Sequence, residues 1–268
     1  MIEEYQAYLD ESGIHTGASI CFIAGWIGRI DQWREFDRVW APHANAPGFH
    51  GKEFFARADG RRVGSYAGWC DEQANEYLRT LIRAILGSGV TPIGSSVDVD
   101  AFGGYSEAER RHLTGGVWTG RKWQLTGAPS RPYYVPFVDV VVESLRVVPP
   151  PEQIHFTFDQ QTELEGFALK LHGEMKRTDH ELSQRLGHAV FASRLEAPPL
   201  QAADLLSHSW YETYVRGQRT RRDIRLVMEF LAAIGNSTMR FTSKQSMDKL
   251  LGKIPLSVPP RTYPIGGV

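Results

Sequence analysis

Carboxylates recur where apolar segments of this chain stop. Asp10 and Glu11 follow the run QAYL and open the stretch DESG, Asp159 ends IHFTFD, and Asp204 interrupts the apolar stretch PPLQAADLLSHSW. In an open α/β sheet, sites form at the carboxyl ends of strands, so acids ending neighbouring strands can meet there. The chemistry open to such a meeting is ligation of a cation through oxygen, or proton transfer between an acid and a base. Each residue also has a plainer use. DESG has the composition of an ordinary turn, and Asp159 suits the start of a following helix, where the helix dipole favours an acid. Asp204 is harder to place, because on a helix it falls in step with Leu200 and faces a poorly hydrated environment. A carboxylate buried alone there would be strongly destabilising. It requires a partner: an arginine, Gln201 or His208 on the same helical face, or a metal.

The elements that must position these acids follow from periodicity. Gln6 to Leu9 reads as a short strand that leaves through DESG, and Ala18 to Ile27 as a second, more apolar strand able to pair with it as a hairpin. Asp31 caps an expected helix whose apolar face is Trp33, Phe36, Val39 and Trp40, with Pro42 ending it. GFHGKEFF follows as an irregular segment. Asp71 to Leu86 has the pattern of an amphipathic helix closed by Gly87, and Val90 to Val99 that of a third strand. No clear period runs from Gly103 to Arg131, which suits a long functional loop.

Beyond that loop the rhythm changes. Expected are a helix (Tyr133 to Val148), a strand (Gln153 to Phe158), a helix (Glu163 to Arg177), a strand (Ala189 to Ser193) and a helix (Pro199 to Val215). Strands alternating with helices imply parallel pairing through right-handed crossovers, so the expected class is α/β. The last fifty residues are expected to hold one more helix, Asp223 to Ile234, and a Pro/Gly-rich tail ending YPIGGV that wraps the surface. With no internal repeat or linker, a single domain over 1–268 is expected.

Composition narrows the function. A formal net charge of −1 weighs against a protein that coats nucleic acid through bulk charge. Two cysteines, Cys21 and Cys70, make neither a disulfide framework nor a zinc cluster, and both are expected to be buried thiols. The start MIEEYQAYLD lacks the basic and apolar regions of a secretion signal, and no apolar run reaches bilayer length, so a cytoplasmic protein without a membrane partner is expected.

Four stretches together resemble the domain of unknown function 3800 family, a bacterial and phage group regarded as having a ribonuclease H-like fold. They are YLDESG at Tyr8 to Gly13, FHGKEF at Phe49 to Phe54, FDQ at Phe158 to Gln160 and PLQAADLL at Pro199 to Leu206. The resemblance implies a ribonuclease H-like mixed sheet, antiparallel in its first strands and followed by alternating strands and helices. It also implies an acidic cluster built from the first strand, a middle strand and the last helix. Against a minimal fold of that kind this chain carries helical insertions at about 29–89 and an extension from about 218. Those insertions leave the source of a second acid open: Glu53 by the family motif, Asp139 or Glu143 by topology.

On that resemblance Asp10, Asp159 and Asp204 would be metal ligands, Glu53 a fourth, and Glu11 an outer group or an outward turn residue. The implied cofactor is Mg²⁺ or Mn²⁺, in a pair of ions that activate water and stabilise the leaving oxygen of a phosphodiester. His50 would orient water or a phosphate, or is an ordinary loop histidine. The implied partner is a nucleic acid of unspecified type. Cations for its phosphates are available in RGQRTRRDIR at Arg216 to Arg225 and in Arg110, Arg111, Arg121, Lys122 and Arg131, with Trp118 and Trp123 placed to stack on bases. Two rival readings stand beside this nuclease. One is a catalytically silent protein that binds nucleic acid or a protein partner through the same fold. The other is a metal-free hydrolase using Asp10 and Glu11 as an acid/base pair, which the opposite directions of adjacent strand residues disfavour.

Overall fold

Alternation along one strand decides the layering. In Ile20–Arg29, the side chains of Ile20, Phe22, Ala24 and Trp26 join one core cluster while Cys21, Ile23 and Ile27 join another on the opposite face. A two-residue period allows this, and a strand covered on both faces is apolar throughout. The structure is a computed structural model and describes residues 3–43, 48–118, 123–125, 129–177, 183–234 and 238–253.

In chain order, β1 (Glu4–Ser12) and β2 (Ile20–Arg29) form a hairpin, followed by α1 (Ile30–Trp40), the short α2 (Gly51–Phe55), the two-residue strands β3 (Arg57–Ala58) and β4 (Arg61–Arg62), and α3 (Asp71–Ser88). β5 (Thr91–Asp98) leads to α4 (Val99–Gly103), α5 (Glu107–Gly115) and the paired β6 (Gly116–Trp118) and β7 (Trp123–Leu125). Then come α6 (Tyr134–Val147), β8 (Gln153–Asp159), α7 (Glu165–Arg177), β9 (Leu186–Ala192) and α8 (Pro199–Arg216). The described chain ends with α9 (Arg222–Ile234), β10 (Thr238–Thr242) and α10 (Lys244–Leu250). Six strands make one mixed sheet in the order β10-β5-β2-β1-β8-β9. β2 is antiparallel to both neighbours and the other pairings are parallel. The cluster containing α6 and α7 covers one face, and that containing α1, α3, α8 and α9 covers the other. The α/β class and the antiparallel opening are therefore as expected. Among the described residues no helix is long and apolar enough to cross a membrane.

Several local expectations are corrected. β1 runs on to Ser12, so Asp10 and Glu11 pair with Ala24 and Ile23 inside the ladder instead of forming a turn. Continued pairing satisfies their backbone groups, and the chain turns at Gly13, whose φ of +79° favours glycine. Arg29, and not Asp31, occupies the N-cap position of α1, and Asp31 receives the Arg29 guanidinium at 3.0 Å. α3 closes on the left-handed Gly89, two residues beyond Gly87.

The stretch expected as a loop begins at α5, opened by a reciprocal pairing in which Ser106 and Glu109 each bond the other's backbone N–H. FHGKEF contributes α2. The strand β10 was not anticipated, and it extends the sheet by pairing with β5. Cys21 is buried as expected, whereas Cys70 is exposed. YPIGGV lies outside the described residues.

The β1–β2 pairing that fixes Asp10 has no spare room. A Cβ on Gly25 would lie 1.8 Å from the Tyr8 carbonyl oxygen, a clash with rigid backbone. Gly25→Ala should therefore destabilise the protein by about 2–4 kcal/mol, read from its urea unfolding midpoint; a loss below about 0.5 kcal/mol would show that the ladder yields.

Candidate functional site

At the carboxyl ends of β1 and β8 the strand period sends neighbouring acids to different faces. Asp10 is buried on the α8 side, where its Oδ2 accepts a 2.5 Å hydrogen bond from Ser207 Oγ of α8. Glu11 points to the α6 side, where its charge acts on Cys21 and Tyr133 and its carboxylate accepts a hydrogen bond from Gln161 Nε2. Asp159 ends β8, the parallel neighbour of β1. Asp204 reaches the same corner from the second turn of α8. Its Oδ2 accepts the Gly51 backbone N–H at 2.8 Å.

That last bond explains the glycines around His50. A Cβ on Gly51 would sit 3.0 Å from Asp204 Oδ1 and 3.2 Å from His208 Cβ, so only a bare backbone approaches the carboxylate comfortably. Gly48, at φ +90°, would bring a Cβ within 2.6 Å of Gln201 Nε2. Gln201 is 3% exposed and ties the corner together. Its Oε1 accepts the Phe49 N–H at 3.0 Å and Trp40 Nε1–H at 3.1 Å, and its Nε2 donates to the Arg194 carbonyl at 3.2 Å. It is thus a positioning residue rather than the partner of Asp204.

His208 likewise does not bond Asp204 in the way the helical spacing allowed. Its ring stacks on Phe55 at 5.0 Å and 7°, and burial lowers its pKa to about 4, which keeps it neutral. Glu53, on α2, lies 3.5 Å from His50 Nδ1 and accepts a 3.3 Å bond from Ser65 Oγ. Both His50 and Glu53 border a cavity of about 260 Å³ together with Asp159, Gln160, Ser193 and Arg194. The topological alternatives to Glu53 are engaged elsewhere. Asp139 accepts Thr242 Oγ1 at 2.6 Å and Ser95 Oγ at 3.3 Å, and Glu143 accepts Arg240 Nη1 at 2.9 Å, which ties α6 to β10 and β5.

The acids act strongly on one another. Asp10 is held well above the usual carboxylate range, first by burial, then by the charges of Glu11, Asp204 and Asp159, with the Ser207 bond opposing. Glu11 is pushed up to about 8 by burial and by Asp159, against the Gln161 bond. Burial raises Asp204 to about 6, tempered by the Gly51 N–H and by the neighbouring His50 and Arg194. Asp159 is raised by burial and tempered by the Gln160 N–H, Arg194 and His50. Asp10, Glu11 and Asp204 are each turned to a protein donor. Among the described residues, no group of three His, Cys, Asp or Glu side chains stands already arranged around a metal position.

Sequence reasoning missed Ser207, Gln161 and Arg194. Ser207 follows Asp204 by three residues, one helical turn, and Arg194 follows the end of β9, so strand-end reasoning extended to that strand would have reached it. The basic clusters are partly used inside the fold. Arg221 pairs with Asp223 and donates to the Phe55 carbonyl, and Arg216 pairs with Glu212. Arg111 pairs with Glu107, Arg131 with Glu163, and Arg110 donates to the Tyr105 carbonyl. Arg219, Arg222 and Arg225 are exposed. Arg121 and Lys122 lie outside the described residues, and Trp118 and Trp123 pair across β6 and β7. Comparison of the chain with protein-family models, curated proteins and solved structures finds no match.

The crowded carboxyls have a consequence for stability. A carboxyl whose pKa is raised by folding stabilises the fold while protonated, and that contribution is lost as pH rises through its folded value. Histidines lowered by burial, His208 and His172 at about 4, act in the opposite sense only below their unfolded value of about 6.5. Between about pH 7 and pH 8, above the histidines and below the folded value of Glu11, stability without divalent ions should therefore fall as pH rises and level off beyond it, because Glu11 keeps its proton in the fold while the unfolded chain has lost it. Glu11→Gln should flatten that fall; a wild-type slope of urea midpoint against pH in the variant would contradict the assignment.

Proposed function

We propose that this protein is a metal-dependent phosphodiester hydrolase, a nuclease of the ribonuclease H-like type. The observation that carries the reading is that acids from β1, β8 and α8 share one corner of the sheet, near enough for Glu11, Asp204 and Asp159 to act on the charge of Asp10. The strand order β5-β2-β1-β8-β9 with β2 reversed agrees with the sheet that the motif resemblance implies, and β10 adds an outer strand.

The donor chemistry fits a hard cation. The acids offer oxygen ligands, and a positive ion would relieve the repulsion that holds their pKa values up. Asp10, Asp159 and Asp204, with Glu53, would hold Mg²⁺ or Mn²⁺, which supplies an activated water and charge stabilisation at the leaving oxygen. The chain's own contribution is placement. Gln201 fixes the His50–Gly51 loop against α8, and Ser207 and the Gly51 N–H orient two of the carboxylates. Arg194, at the rim of the same cavity, offers a guanidinium to a phosphate drawn toward the acids.

Asp10→Asn should abolish Mg²⁺- or Mn²⁺-dependent cleavage of a panel of single- and double-stranded DNA, RNA and hybrid. Arg194→Ala should lower kcat/KM by about 10- to 100-fold while keeping the metal requirement. The wild type should melt at a higher temperature with Mn²⁺, and Asp204→Asn much less so. A wild type that neither cleaves any of these substrates nor gains stability from Mn²⁺ would overturn the proposal.

A further inference from the structure

A second and larger cavity, about 640 Å³, opens on the α6 side of the same sheet edge. Gln160 lines both this cavity and the one bordered by Asp159 and Arg194. Its inner wall includes Cys21, Tyr133 and Leu164, all buried, and its rim includes Gln161, Thr162 and Arg131. Tyr133 is 2% exposed, and its hydroxyl, shut away from bulk water, has no hydrogen-bond partner among the described residues.

Size and chemistry narrow the ligand. Cavities of about 300–1,000 Å³ take small molecules, and this one joins an apolar wall to amides, a hydroxyl and a planar cation. That combination suits a nucleobase, whose faces pack on apolar or guanidinium surfaces while its edge meets amide and hydroxyl groups. A ligand that extends past Gln160 would put a charged group in the smaller cavity, beside Arg194.

We infer that the larger cavity is a nucleobase subsite, which receives the base of a nucleotide adjoining the phosphate held at the acid corner. The inference rests on the phosphodiesterase reading and adds a substrate class to it. A base stacked within a duplex cannot enter such a cavity, so the strand acted on is unpaired or has the nucleotide flipped out. Gln160 meets the base edge, and Arg131, held at the rim by Glu163, covers its face.

The test uses the full chain in EDTA, without divalent ions, titrated calorimetrically with the nucleoside 5′-monophosphates and, as a control, inorganic phosphate. At least one mononucleotide should bind, and more tightly than phosphate. Gln160→Ala, which removes an exposed amide that lines the cavity, should weaken binding about tenfold without lowering the Tm. Thr162→Trp, which fills the cavity from its rim, should abolish binding. The inference is overturned if no mononucleotide binds the wild type, if phosphate binds equally well, or if both variants bind as the wild type does. The measurement needs neither metal nor cleavage. Binding by a protein that cleaves nothing would support the subsite and count against the hydrolase, whereas metal-dependent cleavage without mononucleotide binding would do the reverse.

Discussion

Mutual repulsion among carboxylates at one corner of a sheet is the constraint around which this fold is arranged. Asp10 lies buried within reach of the charges of Glu11, Asp159 and Asp204, and burial alone already disfavours its ionised form. Such a cluster persists only where its members are held in place by surrounding structure and given donors. Ser207 serves Asp10, the Gly51 N–H serves Asp204, and Gln161 serves Glu11. These donors come from three different parts of the chain: α8, the start of α2, and the loop after β8.

Holding those parts together requires more than the sheet. Gln201 links α1, the loop before α2, α8 and the segment after β9 through three hydrogen bonds, and its burial leaves the amide no alternative partner in water. The insertion between β2 and β5 thereby becomes part of the corner. It brings His50, Gly51 and Glu53 to an edge that the strands alone would leave open. The stacking of His208 on Phe55 adds a packed contact between α8 and α2.

The pleat of β1 gives the corner two sides. Asp10 faces α8, and Glu11 faces α6 and Tyr133, and on the two sides lie cavities that share Gln160. On the proposed reading the smaller side handles a phosphate and its ions while the larger side sorts the attached base. Recognition and chemistry would then share a single strand end, separated by the thickness of the sheet.

What the sequence determined by itself were the periods and the conspicuous acids. The uninterrupted apolar run of β2, the alternation of strands and helices after α6, and an acid within the apolar face of α8 follow from side-chain patterning, and patterning is local. It also carried the capping pair Ser106 and Glu109, which the loop reading passed over. Tertiary structure alone decided who partners whom. Spacing allowed His208 or Gln201 as the neighbour of Asp204, yet the donor is the Gly51 backbone, 153 residues away. The motif resemblance put Glu53 first, with Asp139 and Glu143 as the fallback by topology, and the pairing of β10 with β5 engages those two through Thr242 and Arg240. Such assignments depend on contacts between residues far apart in the chain, and a hydrogen bond that forms only when two distant elements pack leaves no period in either of them.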